Sequence, residues 1–106
     1  MGAALLAALI ETLGYDVRFG RPPEAPDEAL RRVRPRVCLV DCTRPDLCTD
    51  EFLGRAAMRG IAVVVFGTPD ALARIRKAIE THRLDTLLVP PEVHELEQVL
   101  QRALAG

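Results

Sequence analysis

Asp41 closes a hydrophobic run, VCLVD at 37–41, and Pro45-Asp46 follows four and five residues later. A carboxylate at the carboxyl end of a buried strand stands where α/β sheets bind ligands. It can accept a transferred group, help to hold a cation, or simply be solvated and bonded to loop amides. Thr68 stands just beyond a second run, IAVVVF at 61–66, and heads a Thr-Pro-Asp helix start. Cys38, Cys42 and Cys48 are spaced C-x3-C and C-x5-C, which is no zinc-knuckle pattern. On one strand, Cys38 and Cys42 would lie roughly 13 Å apart, too far to share an ion. They read as small buried hydrophobes, with Cys48 the more exposed and open to oxidation. His82 and His94 lack Cys or carboxylate partners at ligand spacing and read as surface histidines. There is no glycine-rich phosphate loop and no Ser-His-Asp set.

The elements that carry these residues belong to one domain of 106 residues. Hydrophobic residues make up 49% of the chain, enough for a packed core. Fourteen basic and 15 acidic residues leave a net charge of -1, which gives no nucleic-acid footprint. The basic stretch RRVRPR at 31–36 reads as a solvated helix end, the alternative being a contact for an acidic partner. No apolar run has the roughly 18 residues of a membrane span. The opening MGAALLAALI has no positive leader, and Glu11 follows it, so it reads as a helix rather than an export signal. A cytoplasmic location is therefore expected, with all three cysteines as thiols.

Hydrophobic periodicity predicts a helix over 2–14 with Leu5, Leu6, Leu9, Ile10 and Leu13 as its stripe, ended by Gly14. YDVRF at 15–19 alternates as a half-exposed strand. A short helix over 27–34 ends before Pro35. RVCLVD at 36–41 has the continuous apolar character of a parallel strand buried on both faces. Thr49 caps a helix with Asp50 and Glu51 in its first turn, closing at Met58 to Gly60. IAVVVF is the next strand. The helix begun at Thr68-Pro69-Asp70 presents Leu72, Ile75, Ala78 and Ile79. DTLLV at 85–89 is a strand, and Pro90-Pro91 starts a last helix with Val93, Leu96, Leu100, Ala103 and Leu104 inside. This alternation predicts a parallel sheet with helices on both faces.

From about residue 4 to residue 104, the order and motifs resemble the receiver domain of bacterial response regulators. LGYDV at 13–17 is similar to that family's first helix end and second strand. VCLVDCTRPD is similar to its third strand and phosphoacceptor loop, GIAVVVFGTPD at 60–70 to its fourth strand, and DTLLVPP at 85–91 to its fifth. The resemblance implies a flavodoxin-like, three-layer α/β/α fold with about four strands here. It makes Asp41 the phosphoacceptor candidate and Thr68 the nearby switch candidate, and puts Mg2+ at Asp41 only if that residue is phosphorylatable.

The departures are as informative. The family's first strand, which ends in a pair of Mg2+-binding acids, has no counterpart. Pro90 takes the place of a lysine, and Gly67 that of a Ser or Thr. Phosphoryl transfer is mostly positioning and charge neutralisation, so most of the expected machinery is absent. The expectation is an atypical stand-alone receiver-like domain over 1–106, without an output domain, in two-component signal transduction. It would have no catalytic residues and no resident cofactor. It would act by protein–protein binding to a histidine kinase, another receiver or a second copy of itself, a homodimer being one answer to the missing central strand. One alternative is a working receiver in a phosphorelay, phosphorylated on Asp41 by a histidine kinase. The other is a small flavodoxin-like ligand-binding or catalytic domain.

Overall fold

The computed structural model describes residues 2–105. Helix α1 spans Ala3–Thr12 and α2 spans Pro26–Val33. Strand β1 is Val37–Asp41, α3 is Asp50–Met58, and β2 is Ala62–Gly67. Two short helices follow, α4 at Pro69–Arg74 and α5 at Arg76–His82. Strand β3 is Asp85–Leu88, and α6 runs over Val93–Ala105. The sheet is parallel, in the order β1-β2-β3, with Val37 opposite Ala62 and Val64 opposite Asp85.

Strand β2 sits in the middle because its sequence tolerates no other place. AVVVFG is apolar on both faces, and Val64 and Val65 have no exposed surface. Val63 and Val65 point into one cluster with Leu30 of α2, Phe52, Leu53 and Ala56 of α3, Leu72 of α4 and Ala78 of α5. Val64 and Phe66 point into the other, with Leu6 and Ile10 of α1 and Leu96, Val99 and Leu100 of α6. The result is the expected three-layer α/β/α arrangement.

Several local signals act as read. Thr49 Oγ1 accepts from the Phe52 N–H at 3.2 Å, and Thr68 Oγ1 from the Ala71 N–H at 3.2 Å, so both cap helix starts. Three expectations need correction. Residues 15–19 form no strand. Tyr15 and Val17 pack on the α1–α6 cluster, while Asp16 and Arg18 pair with each other in solvent at 3.1 Å. The sheet therefore has three strands, close to the expected number. The helix expected after Thr68 is two helices broken at Ile75. Leu72 and Ala78 are six residues apart, about 120° around a straight helix, and the break lets both reach one cluster. Leu5 and Val93, assigned to buried stripes, are exposed, whereas Val99 is buried in α6.

The loop before α2 is held by charge. Glu24 accepts from Arg32 Nε at 2.7 Å, from Arg32 Nη2 at 2.8 Å and from the Arg21 N–H at 2.8 Å. Arg32 also donates to the Phe19 carbonyl at 3.0 Å. The Arg32 hydrogen bonds, chiefly, hold the Glu24 carboxyl down to about 2.

Three predictions rest on the packing and this staple. Leu53→Ala empties a fully buried site and is expected to cost about 2–5 kcal/mol in urea unfolding. Met58→Ala, at an 88% exposed position, is expected to change stability by less than about 0.5 kcal/mol. Because the folded pKa of Glu24 lies below its ordinary value of 4.5, its contribution is complete above that pH. It is lost as pH falls from 4.5 towards about 2. Thermal unfolding followed across that window should fall less steeply in Arg32→Met than in the parent.

Candidate functional site at the carboxyl end of the sheet

Asp41 is the last residue of β1 and is half-buried. Its Oδ1 accepts from the Thr43 N–H at 3.0 Å and from the Thr43 hydroxyl at 2.6 Å. This is a local side-chain turn of the kind Asp forms two residues ahead. The Asp41 carbonyl accepts from the Arg44 N–H at 3.2 Å. The chain therefore folds over the strand tip, and one carboxylate oxygen is already engaged there. Asp46, the acid five residues on, faces Arg44 in solvent at 3.5 Å.

The cysteines behave differently from expectation. Cys42 and Cys48 are joined by a disulfide, with Cα atoms 5.1 Å apart. Cys42 lies at the top of β1, and the chain turns through Arg44, whose carbonyl accepts from the Leu47 and Cys48 N–H groups, each at 3.1 Å. That turn brings position 48 back beside position 42, a closure that linear spacing does not reveal. Cys48 is buried, not exposed. Cys38 remains a thiol, and burial pushes its pKa up to about 11, which leaves it unreactive at neutral pH.

Thr68 and Gly67 occupy the end of β2. The Thr68 hydroxyl serves the α4 cap. A Cβ on Gly67 would meet the Ala71 Cβ at 3.2 Å and the Cys42 Cβ and Thr43 Cγ2 at 3.7 Å each. Glycine is thus what lets the β1 tip and α4 close on one another. Beyond β3, the Val89 N–H donates to the Gly67 carbonyl at 3.2 Å, which sets Pro90 just past the strand end. Proline there carries no charge toward the Asp41 end of the sheet.

Two neighbours escaped sequence reasoning. Thr43 had a signal, a hydroxyl two residues after Asp41. Arg74 had none. It reaches from α4 across 32 residues of sequence to donate to the Cys42 carbonyl at 3.2 Å. His82 also gains a carboxylate neighbour, Asp50 Oδ1 at 3.6 Å, and its ring covers Gly54, where a Cβ would come within 3.1 Å. His82 is therefore half-buried between α5 and α3, whereas His94 is exposed.

Among the described residues, no group of three His, Cys, Asp or Glu side chains is placed to hold a metal ion. Mg2+ takes near-octahedral oxygen ligands. One carboxylate, half committed to Thr43, does not fit it. Among the described residues, no helix is long and apolar enough to cross a membrane.

No family model and no curated protein matches the chain. Solved structures do. A chain from Chloroflexus aurantiacus J-10-fl, assigned as a response regulator, superposes with a TM-score of 0.80 at 18% identity, over 98% of this chain and 88% of its own. The receiver domain of NtrX from Brucella abortus superposes with a TM-score of 0.72 at 19% identity, over 95% of this chain and 88% of its own. The fold is that of receiver domains, the flavodoxin-like arrangement expected from the sequence.

A disulfide closing so short a loop contributes about 2 kcal/mol by restricting the unfolded chain. Reduction with a dithiol, or the Cys42→Ala/Cys48→Ala variant, is expected to lower the unfolding midpoint accordingly. Amide exchange over residues 43–48 should speed up, while β2 stays protected.

Proposed function

We propose that this chain is an atypical receiver-like signalling domain of the two-component type, which works by docking on another signalling protein rather than by taking phosphate. A histidine kinase or another receiver is the class of partner that this reading names. The observation that carries it is the state of Asp41. Its carboxylate is tied to Thr43 at 2.6 and 3.0 Å, and no acid cluster accompanies it among the described residues.

The surrounding chemistry supports the same reading. A developing phosphoryl charge needs a cation aimed at it and a metal to bridge it. Arg74 is directed to a main-chain carbonyl instead, Pro90 offers no ammonium, and the Thr68 hydroxyl is used in its cap. Nothing in this set forms a catalytic constellation, so the reading is of a binding module and not an enzyme. The fold by itself carries no activity.

An amide NMR titration with Mg2+ and beryllofluoride, a mimic of aspartyl phosphate, tests the reading. The expected spectrum is unchanged at Asp41, Gly67 and Thr68. Saturable shifts centred on those residues, lost in Asp41→Asn, would replace this reading with that of a working phosphoacceptor.

A further inference from the structure

Strand β1 forms one edge of the sheet, and that edge is open. Two main-chain bonds set the parity of the β1–β2 ladder: the Ala62 N–H to the Arg36 carbonyl at 3.1 Å, and the Cys42 N–H to the Phe66 carbonyl at 2.8 Å. In a parallel pair, alternate residues bond to one side. Residues 36, 38, 40 and 42 therefore turn toward β2, while Val37, Leu39 and Asp41 turn away. Among the described residues, the N–H and C=O groups of Val37 and Leu39 and the N–H of Asp41 have no other hydrogen-bond partner. They open into a groove of about 1090 Å3, lined by Leu6 and Ile10 of α1, Leu30 and Val33 of α2, and residues 15–21.

Beside β1 the walls are apolar above and below the plane of the sheet, while Asp16, Arg18, Arg21, Glu24 and Arg32 also line the groove. Val37 and Leu39 pack with the α1–α6 cluster, and Cys38 and Val40 with the α2–α3 cluster. A strand laid beside β1 would need apolar side chains on both faces. Residues 15–19 cannot meet that demand, since Asp16 and Arg18 alternate with the apolar positions.

A second concavity, of about 710 Å3, lies at the amino end of β1. Arg31, Arg34, Arg36 and Arg59 line it, and among the described residues no carboxylate does, Asp27 being held nearby by Arg55. Among the described residues none of these four has an ion-pair partner, whereas Arg18, Arg32, Arg44, Arg55, Arg76 and Arg102 each have one. Arg36 donates to the Leu104 carbonyl at 3.3 Å. The two concavities share Leu30, Pro35, Arg36 and Leu104 as wall residues, so they adjoin. Guanidinium groups favour carboxylates through paired hydrogen bonds.

We infer that the β1 edge takes up an extended segment of a partner polypeptide by strand addition, with apolar residues along Val37–Asp41 and acidic residues in the four-arginine concavity. The bare edge supplies main-chain affinity, and the apolar walls and the arginines supply selectivity. The segment spans about five residues, the length of β1. It runs parallel to β1, as every strand pair in this sheet does, so its acids precede its apolar residues. The inference rests on the docking reading in requiring a partner polypeptide. It is independent of whether Asp41 takes phosphate.

The test uses the full chain and a fluorescent peptide, EEVIVTV, with a soluble polyethylene glycol tail at its carboxyl end. Saturable binding is expected, with slowed amide exchange at Val37, Leu39 and Asp41. Methylation of alternate peptide nitrogens, which leaves side chains intact, should weaken binding by about tenfold or more, as should KKVIVTV. In Arg31→Glu/Arg59→Glu, both at exposed sites, the preference for the acidic peptide should vanish while circular dichroism is unchanged. Absence of binding, equal binding of the methylated peptide, or persistence of the preference in that variant would overturn the inference. So would light scattering showing a dimer with those amides already protected, because the occupant would then be a second copy. Each of these failures concerns the edge alone, since the beryllofluoride titration decides Asp41 separately.

Discussion

The burial of β2 on both faces is the constraint on which the rest of the molecule depends. Its side chains alternate between two hydrophobic clusters, so one six-residue strand joins every layer. Val63 and Val65 demand apolar cover from α2 to α5, and Val64 and Phe66 demand it from α1 and α6. Because β2 pairs with β1 over Ala62–Phe66 and with β3 over Val64–Gly67, it also decides which main-chain groups of β1 remain outward. The open edge is a direct consequence of its central position.

The two ends of β1 differ chemically for reasons that lie in neighbouring elements. At the carboxyl end, chain folding is dense. Thr43 engages the Asp41 carboxylate, the Cys42–Cys48 disulfide closes the following loop, and α4 presses against Gly67. This density satisfies polar groups locally. At the amino end, four arginines converge from α2, the α2–β1 connection and the α3–β2 turn, and among the described residues none of them has an ion-pair partner within 4.0 Å. The fold is that of receiver domains, and the carboxyl end of β1 within it is closed by local packing.

Much of this architecture was legible in the sequence, because burial period and helix capping are local properties. VCLVD, AVVVFG and DTLL announce strands by continuous apolar character, and Thr49 and Thr68 announce helix starts by chemistry complete within four residues. Asp41 was likewise placed by the strand that precedes it. What the sequence misjudged were cases in which a local pattern competes for a distant partner. YDVRF alternates as a strand should, yet alternation specifies a face and not a neighbour, and its apolar residues found α1 and α6 before any ladder. The helix after Thr68 carries one continuous stripe on paper, but two separated residues had to reach a single cluster.

The sequence by itself determined the three parallel strands, the capped helix starts and most of the residues that enter the core. Each of these follows from the type and period of adjacent side chains. Tertiary structure alone decided that Cys42 meets Cys48, that Arg74 reaches the Cys42 carbonyl, and that Arg59 joins Arg31, Arg34 and Arg36. It also decided that β1 keeps an unpaired edge. These depend on which elements lie side by side once both faces of β2 are covered, and main-chain pairing and charge convergence leave no periodic trace in the chain.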